Sequence, residues 1–277
     1  MRKYDFSVNI ERESDTWNFF CKSKLLGKAS SAQSFYKNES LKKSILICGS
    51  GPSLNHFDWD SLNLRETTIV ALNGANYKLL HYSITPDLHF ITDKNFILSN
   101  QSSIQSSLQA GTTMVVSPTV ASHLYSHFDI TPSQKVYIVE LVNSWFGVKK
   151  ERAEALIQIS SSALLYNLDK KNVLDDKILE KSGWSKDPQY GVFSGATVAY
   201  SALQFFDFAA CKSIDMIGVD LTGAKRCYKE THTQQSQLDR DFDRIILPAF
   251  TFMKSAPKRT ASILNLSKCS RLPFTEL

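Results

Sequence analysis

Seven short stretches of this chain, residues 44–48, 67–72, 88–92, 112–117, 135–141, 213–219 and 261–266, are rich in Val and Ile and apolar at consecutive rather than alternate positions. A strand without a polar face must be covered on both sides, the condition of a parallel sheet sandwiched by helices. Helical patterns separate the runs, most clearly at 196–208 and 238–254. The alternation predicts an α/β fold with a Rossmann-like, doubly wound, mostly parallel sheet. Residues 147–190 combine charge runs with weak periodicity and predict a small helical lid inserted before the second half of the sheet. The sheet domain then spans 44–277, and 1–43 form an N-terminal arm.

Composition excludes several classes. The five cysteines are scattered, with no Cys-x-x-Cys pair, as in a reducing compartment. The opening MRKYDFSVNIERE has no apolar run of the signal-peptide kind, and the uncharged stretch 192–206 is too short to span a bilayer. A cytoplasmic protein is expected. The net charge of +5 is mild and no long basic stripe occurs, so nucleic acid is not an expected partner. Lys22, Lys24 and Lys28 follow Trp17, Phe19 and Phe20. That cluster reads either as a helix docked on the core with a solvated lysine face, or as a segment resting on an anionic membrane surface.

Open parallel sheets bind ligands at the carboxyl ends of their strands. The residues there are Gly49-Ser50-Gly51-Pro52, Asn73-Gly74, Asp93, Ser117-Pro118 and the run 218–223 with Asp220 and Thr222. Glycines after the first strand let backbone approach a ligand, the next helix offers free N–H groups to an anion, and Pro52 suits a first helical turn. A dinucleotide fingerprint is incomplete, with Leu54 for its third glycine and Asn73 where an acidic ribose ligand would stand. No Gly-Lys-Ser/Thr phosphate loop is present. An asparagine, both donor and acceptor, suits a pyrimidine, a ribose hydroxyl or a sugar. Asp58-Trp59-Asp60 imitates a metal-binding Asp-x-Asp but lies away from a strand end, so no metal is expected. Of six histidines only His232 follows the 213–219 strand, near Tyr228 and the cations Lys225, Arg226 and Lys229, where it can serve as a general base or simply face solvent.

GSGPSL with Asn73 after the second strand resembles the bacterial single-domain CMP-sialic acid transferases, as do FSGATVAYSALQF and KSIDMIGVD. GWSKDPQYGVFSGAT, GVDLTGAKRCY, LPAFTFM and ILNLSKCSRLP together resemble more closely the WaaZ family of lipopolysaccharide-core Kdo transferases, over residues 44–277. The resemblance implies a GT-A-like glycosyltransferase that moves Kdo from CMP-Kdo to the lipopolysaccharide inner core, without metal or other cofactor, at the cytoplasmic face of the inner membrane. It implies that Ser50, Gly51, Asn73, Asp93, Ser194 and Gly195 line the donor pocket. From their places at or after the strand ends, Gly49, Pro52, Asp220 and Thr222 are expected to handle the donor with them, and Lys225 and Arg226 either pair with its acidic groups or form a solvated loop. Tyr228 matches a tyrosine on the donor phosphate; by side-chain chemistry rather than resemblance, His232, Asp93 or Asp220 can take the acceptor proton. Ser50, Gly191 and Thr222 depart from the sialyltransferase pattern, which has asparagine, arginine and tyrosine there; Asp93 replaces an asparagine. Three other readings stay open: transfer of sialic or another nonulosonic acid, a pterin pyrophosphokinase-like enzyme, and a non-catalytic nucleotide-binding protein.

Overall fold

The structure, a computed structural model, describes residues 8–141, 165–166, 183–185, 187–222, 226–228, 237–255 and 260–276. Its main element is a ten-stranded sheet in the order β1-β2-β3-β8-β7-β6-β5-β4-β11-β12. The strands are β1 (Val8–Glu13), β2 (Thr16–Cys21), β3 (Lys24–Ser31), β4 (Ser44–Cys48), β5 (Thr67–Leu72), β6 (Leu88–Ile91), β7 (Thr113–Val116), β8 (Val136–Ile138), β11 (Ser213–Ile217) and β12 (Ser262–Asn265). From β3 through β8 to β12 every pairing is parallel; β1, β2 and β3 pair antiparallel. Each of the seven apolar runs contains one strand of the parallel part. A two-stranded ladder joins β9 (Leu165–Tyr166) to β10 (Trp184–Ser185).

Successive residues of the central strands feed different cores, which is why no polar face exists. Ile45, Ile47, Val70 and Leu72 pack with α1 (Ala32–Asn38) and α6 (Val198–Asp207) on one face. Leu46, Cys48, Ile69 and Ala71 pack with α2 (Ala75–His81) on the other. Further along that face, Met114 and Val116 meet α3 (Lys94–Ser99), α4 (Gln101–Gln109) and α5 (Pro118–His127). A second helical span runs from α7 (Leu238–Asp241) through a π turn (Phe242–Ile246) into α8 (Leu247–Ser255), with Phe242, Ile246, Phe250 and Met253 in the larger core. This is a mixed α/β protein with a mostly parallel sheet. The expected lid at 147–190 falls largely outside the described residues.

The docked helix, one of the two readings of the N-terminal aromatic and lysine cluster, is not found: the segment forms β2 and β3. On β2, Trp17 and Phe19 share one core cluster and Asn18 between them is buried as well, so the strand repeat of two, not the helical 3.6, governs the segment. The sheet therefore extends by a three-stranded meander whose β3 pairs with β8. Burial of both aromatics also removes them from any membrane contact, while Lys22, Lys24, Lys28 and Leu25 remain exposed.

Candidate active site

The connections leaving β4 and β11 run to opposite sides of the sheet, and these two strands are neighbours. A cavity of about 1420 Å³ opens at their carboxyl ends. Its wall is built by Gly49, Ser50 and Gly51 after β4, Asn73 after β5, Asp93 at the start of α3, Ser194, the 218–222 segment after β11, and Arg226 with Tyr228. Ten of the expected site residues thus meet in one cavity: Gly49, Ser50, Gly51, Asn73, Asp93, Ser194, Asp220, Thr222, Arg226 and Tyr228. Pro52 and Gly195 stand beside it but do not line it. Lys225 and His232 lie outside the described residues, as does Lys229.

The glycine turn is tied to the β11 end by several of its own N–H groups. Gly49 N donates to Ile217 O at 2.7 Å, Gly51 N to Gly218 O at 2.8 Å and, within the turn, Leu54 N to Gly51 O at 3.2 Å, whereas Ser50 N, at the cavity wall, makes no such bond among the described residues. Ser53 N donates to Asp220 Oδ2 at 2.9 Å, so a carboxylate of the protein itself occupies the anion position of the turn. The helix that follows is only a five-residue 3-10 turn, Pro52–His56. What the glycines permit is a crossing of two strand ends. A Cβ on Gly49 would stand 2.8 Å from the Gly218 carbonyl carbon, and one on Gly218 at 2.8 Å from that of Gly49. Gly218 also has φ +72, in the left-handed region. The crossing delivers Asp220, which is 1% exposed, to the floor of the cavity. Ser53 Oγ accepts from Gly218 N at 3.1 Å, Ser267 Oγ from Val219 N at 2.9 Å, and Ser270 Oγ donates to Val219 O at 3.0 Å. Ser267 and Ser270 thus brace the β11 end. Leu221, with φ +57, carries a left-handed conformation uncommon for its type at the wall itself.

On the β5 side, Asn73 adopts φ +45 and its Oδ1 is buried with no hydrogen-bond partner. Its backbone carbonyl accepts from His89 Nε2 at 2.7 Å, and His89 Nδ1 bonds to Ser107 Oγ at 2.7 Å. Burial pushes the His89 ring down to about 4, so it is neutral at physiological pH. Tyr228 packs over Gly74, where a Cβ would strike its ring and hydroxyl, and against Tyr77 at 5.1 Å between centroids. The Ser194 side rests on buried Gln204, whose Oε1 accepts from Ser185 N and Phe193 N at 3.0 Å and whose Nε2 donates to Phe193 O at 2.8 Å. Gly195 owes its identity to φ +49 and to the Tyr200 ring beside it. Asp93 is exposed, and its Oδ1 accepts from Asn95 N at 2.8 Å as the cap of α3.

Several lining residues escaped the sequence reading. Arg240, paired to Asp241 at 2.8 Å, and exposed Arg244 project from the α7 region, and Asn95, Ser99 and Asn100 from the α3 side. No motif marks them; only the fold brings them to the cavity. Asp58 and Asp60 are remote from it, Asp58 merely capping the short turn Trp59–Ser61. Among the described residues no three His, Cys, Asp or Glu side chains gather as metal ligands would, and no helix is long and apolar enough to cross a membrane.

Comparison with known proteins follows the same lines. The family described as 3-deoxy-D-manno-octulosonic acid transferase WaaZ matches residues 28–275. The probable 3-deoxy-manno-octulosonic acid transferase of Escherichia coli K12 is 29% identical over 223 residues, covering 76% of this chain and 74% of that protein. Its counterpart in Salmonella typhimurium LT2 is 26% identical over 233 residues, covering 81% of each. Among solved structures, monofunctional alpha-2,3-sialyltransferase Cst-I of Campylobacter jejuni is 15% identical, with a TM-score of 0.44 over 86% of this chain and 83% of that one. Sialyltransferase CST-II, solved with a trisaccharide acceptor and CMP, is 12% identical, with a TM-score of 0.43 over 83% of each. With the match extending over nearly the whole sheet and every strand end that lines the cavity, the chain belongs to the WaaZ family of 3-deoxy-D-manno-octulosonic acid transferases and is a glycosyltransferase.

Proposed function

We propose that the protein transfers Kdo from CMP-Kdo to the inner core of lipopolysaccharide, through a single-domain GT-A-like site that needs no metal. The carrying observation is the cavity at the β4–β11 switch point, where Ser50, Asn73, Asp220 and Tyr228 meet in a member of this family. A CMP-sugar has one phosphate, so hydroxyl and amide donors suffice to stabilise it as it departs, and Tyr228 is the donor assigned to it. With the N–H groups of Gly49, Gly51 and Ser53 engaged inside the protein, the phosphate is assigned to the part of the wall formed by Ser50, Tyr228 and Arg226. Asp93, exposed at the cavity edge, and His232 are the candidates kept for the base that takes the acceptor hydroxyl proton, since Asp220 is buried and its Oδ2 accepts from Ser53 N. In-line attack opposite the departing CMP inverts the anomeric centre. The acceptor is part of a membrane lipid, and the exposed Lys22, Lys24, Lys28 and Leu25 of the meander suit contact with an anionic inner-membrane face.

The test is incubation of the purified protein with CMP-Kdo, CMP-sialic acid or a nucleoside triphosphate, with lipopolysaccharide acceptor and EDTA, and mass analysis of the products. Kdo addition in EDTA is expected. Transfer of sialic acid alone would move the donor assignment, and activity restored only by magnesium would end the metal-free claim. Replacement of Asp93 by Asn separates the bases: a dead variant that still binds CMP assigns the proton to Asp93.

A further inference from the structure

His89 is the only histidine in the described chain with no exposed surface, and it stands one strand away from the cavity it does not line. Its surroundings leave its protonation no freedom. The Asn73 carbonyl at 2.7 Å can only accept, so Nε2 carries the proton. Nδ1 of the neutral ring is then an acceptor, and the Ser107 hydroxyl at 2.7 Å donates to it. A relay results, from Ser107 on α4 through His89 on β6 to the backbone of Asn73 after β5. It ends on Asn73 at φ +45, in the left-handed region that asparagine enters more readily than most side chains and that the bond from His89 holds in place.

The same turn is held from its other side by Tyr228, seated on Gly74. Asn73 and Tyr228 both line the cavity, and the turn between β5 and α2 is their shared footing. We propose that His89 is a positioning residue for this site: its imidazole fixes the left-handed turn at Asn73, and thereby aims the Asn73 carboxamide and seats Tyr228 for the nucleotide end of the donor. The inference rests on the reading of the cavity as a CMP-sugar site. Burial lowers the basicity of the ring and keeps it neutral across the neutral range, while its two partners select the tautomer.

The experiment is a double-mutant cycle of His89→Leu and Asn73→Ala, read as the Kd for CMP by calorimetry. His89→Leu is expected to weaken CMP binding roughly tenfold, the scale of one lost hydrogen bond. In the Asn73→Ala background the same change should have little further effect. His89→Gln, whose carboxamide N–H can still donate to the Asn73 carbonyl, should recover most of the affinity. Equal weakening in both backgrounds, or no weakening by His89→Leu alone, overturns the proposal. Amide hydrogen exchange supplies a readout without ligand. The amides of residues 73–76 should exchange faster in His89→Leu while those of β11 keep their rate, and uniform acceleration would reduce His89 to a core residue. Wild-type protein that fails to bind CMP sinks the functional reading, and the exchange pattern then decides the relay by itself.

Discussion

Replacing Gly51 by alanine tests the reading of the glycine turn as a strand crossing. Gly51 has φ −73 and ψ 162, a conformation open to any residue. On backbone grounds alanine should therefore stabilise the protein by about 0.4–1 kcal/mol, by restricting the unfolded chain. Space decides otherwise. The new methyl would stand 2.7 Å from the Gly218 carbonyl oxygen and 2.8 Å from Asp220 Cγ, where ordinary contact begins at 3.4 Å. Neither neighbour yields easily: the carbonyl accepts from Gly51 N at 2.8 Å, and the carboxylate is buried and accepts from Ser53 N at 2.9 Å. Losing that charge-assisted bond costs about 1.5–3 kcal/mol, and forcing a methyl into filled space about 1–3 kcal/mol. Against the small entropic gain, a net loss of about 2–4 kcal/mol is expected. At about 2–4 °C per kcal/mol for a chain approaching this length, the melting temperature should fall by roughly 5–15 °C. Scanning fluorimetry and urea unfolding measure both, and CMP affinity of the folded fraction should fall with them because Asp220 is displaced. A variant melting at or above the wild type would refute the crossing.

Two further outcomes follow from burial. The His89 ring, held near 4 against an ordinary 6.5, binds its proton more weakly folded than unfolded, so its contribution to stability is complete above pH 6.5 and lost as pH falls towards 4; between pH 7 and 5 the wild type should lose about 2 kcal/mol more than His89→Gln in urea titrations, and parallel pH profiles would remove the buried neutral ring. Burial raises the thiols of Cys48, Cys211 and Cys227, the last two to about 11 and about 12, whereas Cys269 is exposed; iodoacetamide at pH 8 should label Cys269 and leave those three intact by peptide mass mapping, and rapid labelling of Cys227 would show that the loop beside the cavity opens.

The parallel sheet was legible because its strands must be apolar on both faces, a pattern that few other structures produce. The cavity followed from strand ends alone, since the fold rule needs only where each strand stops. The N-terminal meander was not legible, and its turns show why. Lys22 and Ser23 take φ 47 and 64, and Ser14 takes φ 53, so both hairpin turns use left-handed residues without the Asn-Gly or Asp-Gly pair that announces such turns. The glycine turn is legible as a turn, but not its ties to β11: the partners of the Gly49, Gly51 and Ser53 N–H groups, Ile217, Gly218 and Asp220, lie 167 or 168 residues away in the chain, and no local pattern records a bond of that span. His89 was invisible for the same reason. Within the run Leu88–Ile91 it is one polar residue, and both its partners belong to other elements.

The crossing of β4 and β11 also sets an order of assembly on the ribosome. Asp220 reaches back 167 positions to Ser53, so the turn cannot close until the β11 segment has been made. At about 5–20 residues per second, roughly 10–30 s separate synthesis of the two ends. During that interval β4 through β8 can pair with nearby partners, including the His89 relay, whose longest step spans 18 residues. The edge of β4 that will receive β11 meanwhile stays unpaired and apolar, a surface that invites association with other chains. Fragments ending before residue 213 should therefore hold secondary structure, aggregate through that open edge, and fail to bind CMP. Catalytic competence arrives in one late step, when the second half of the sheet closes on the first.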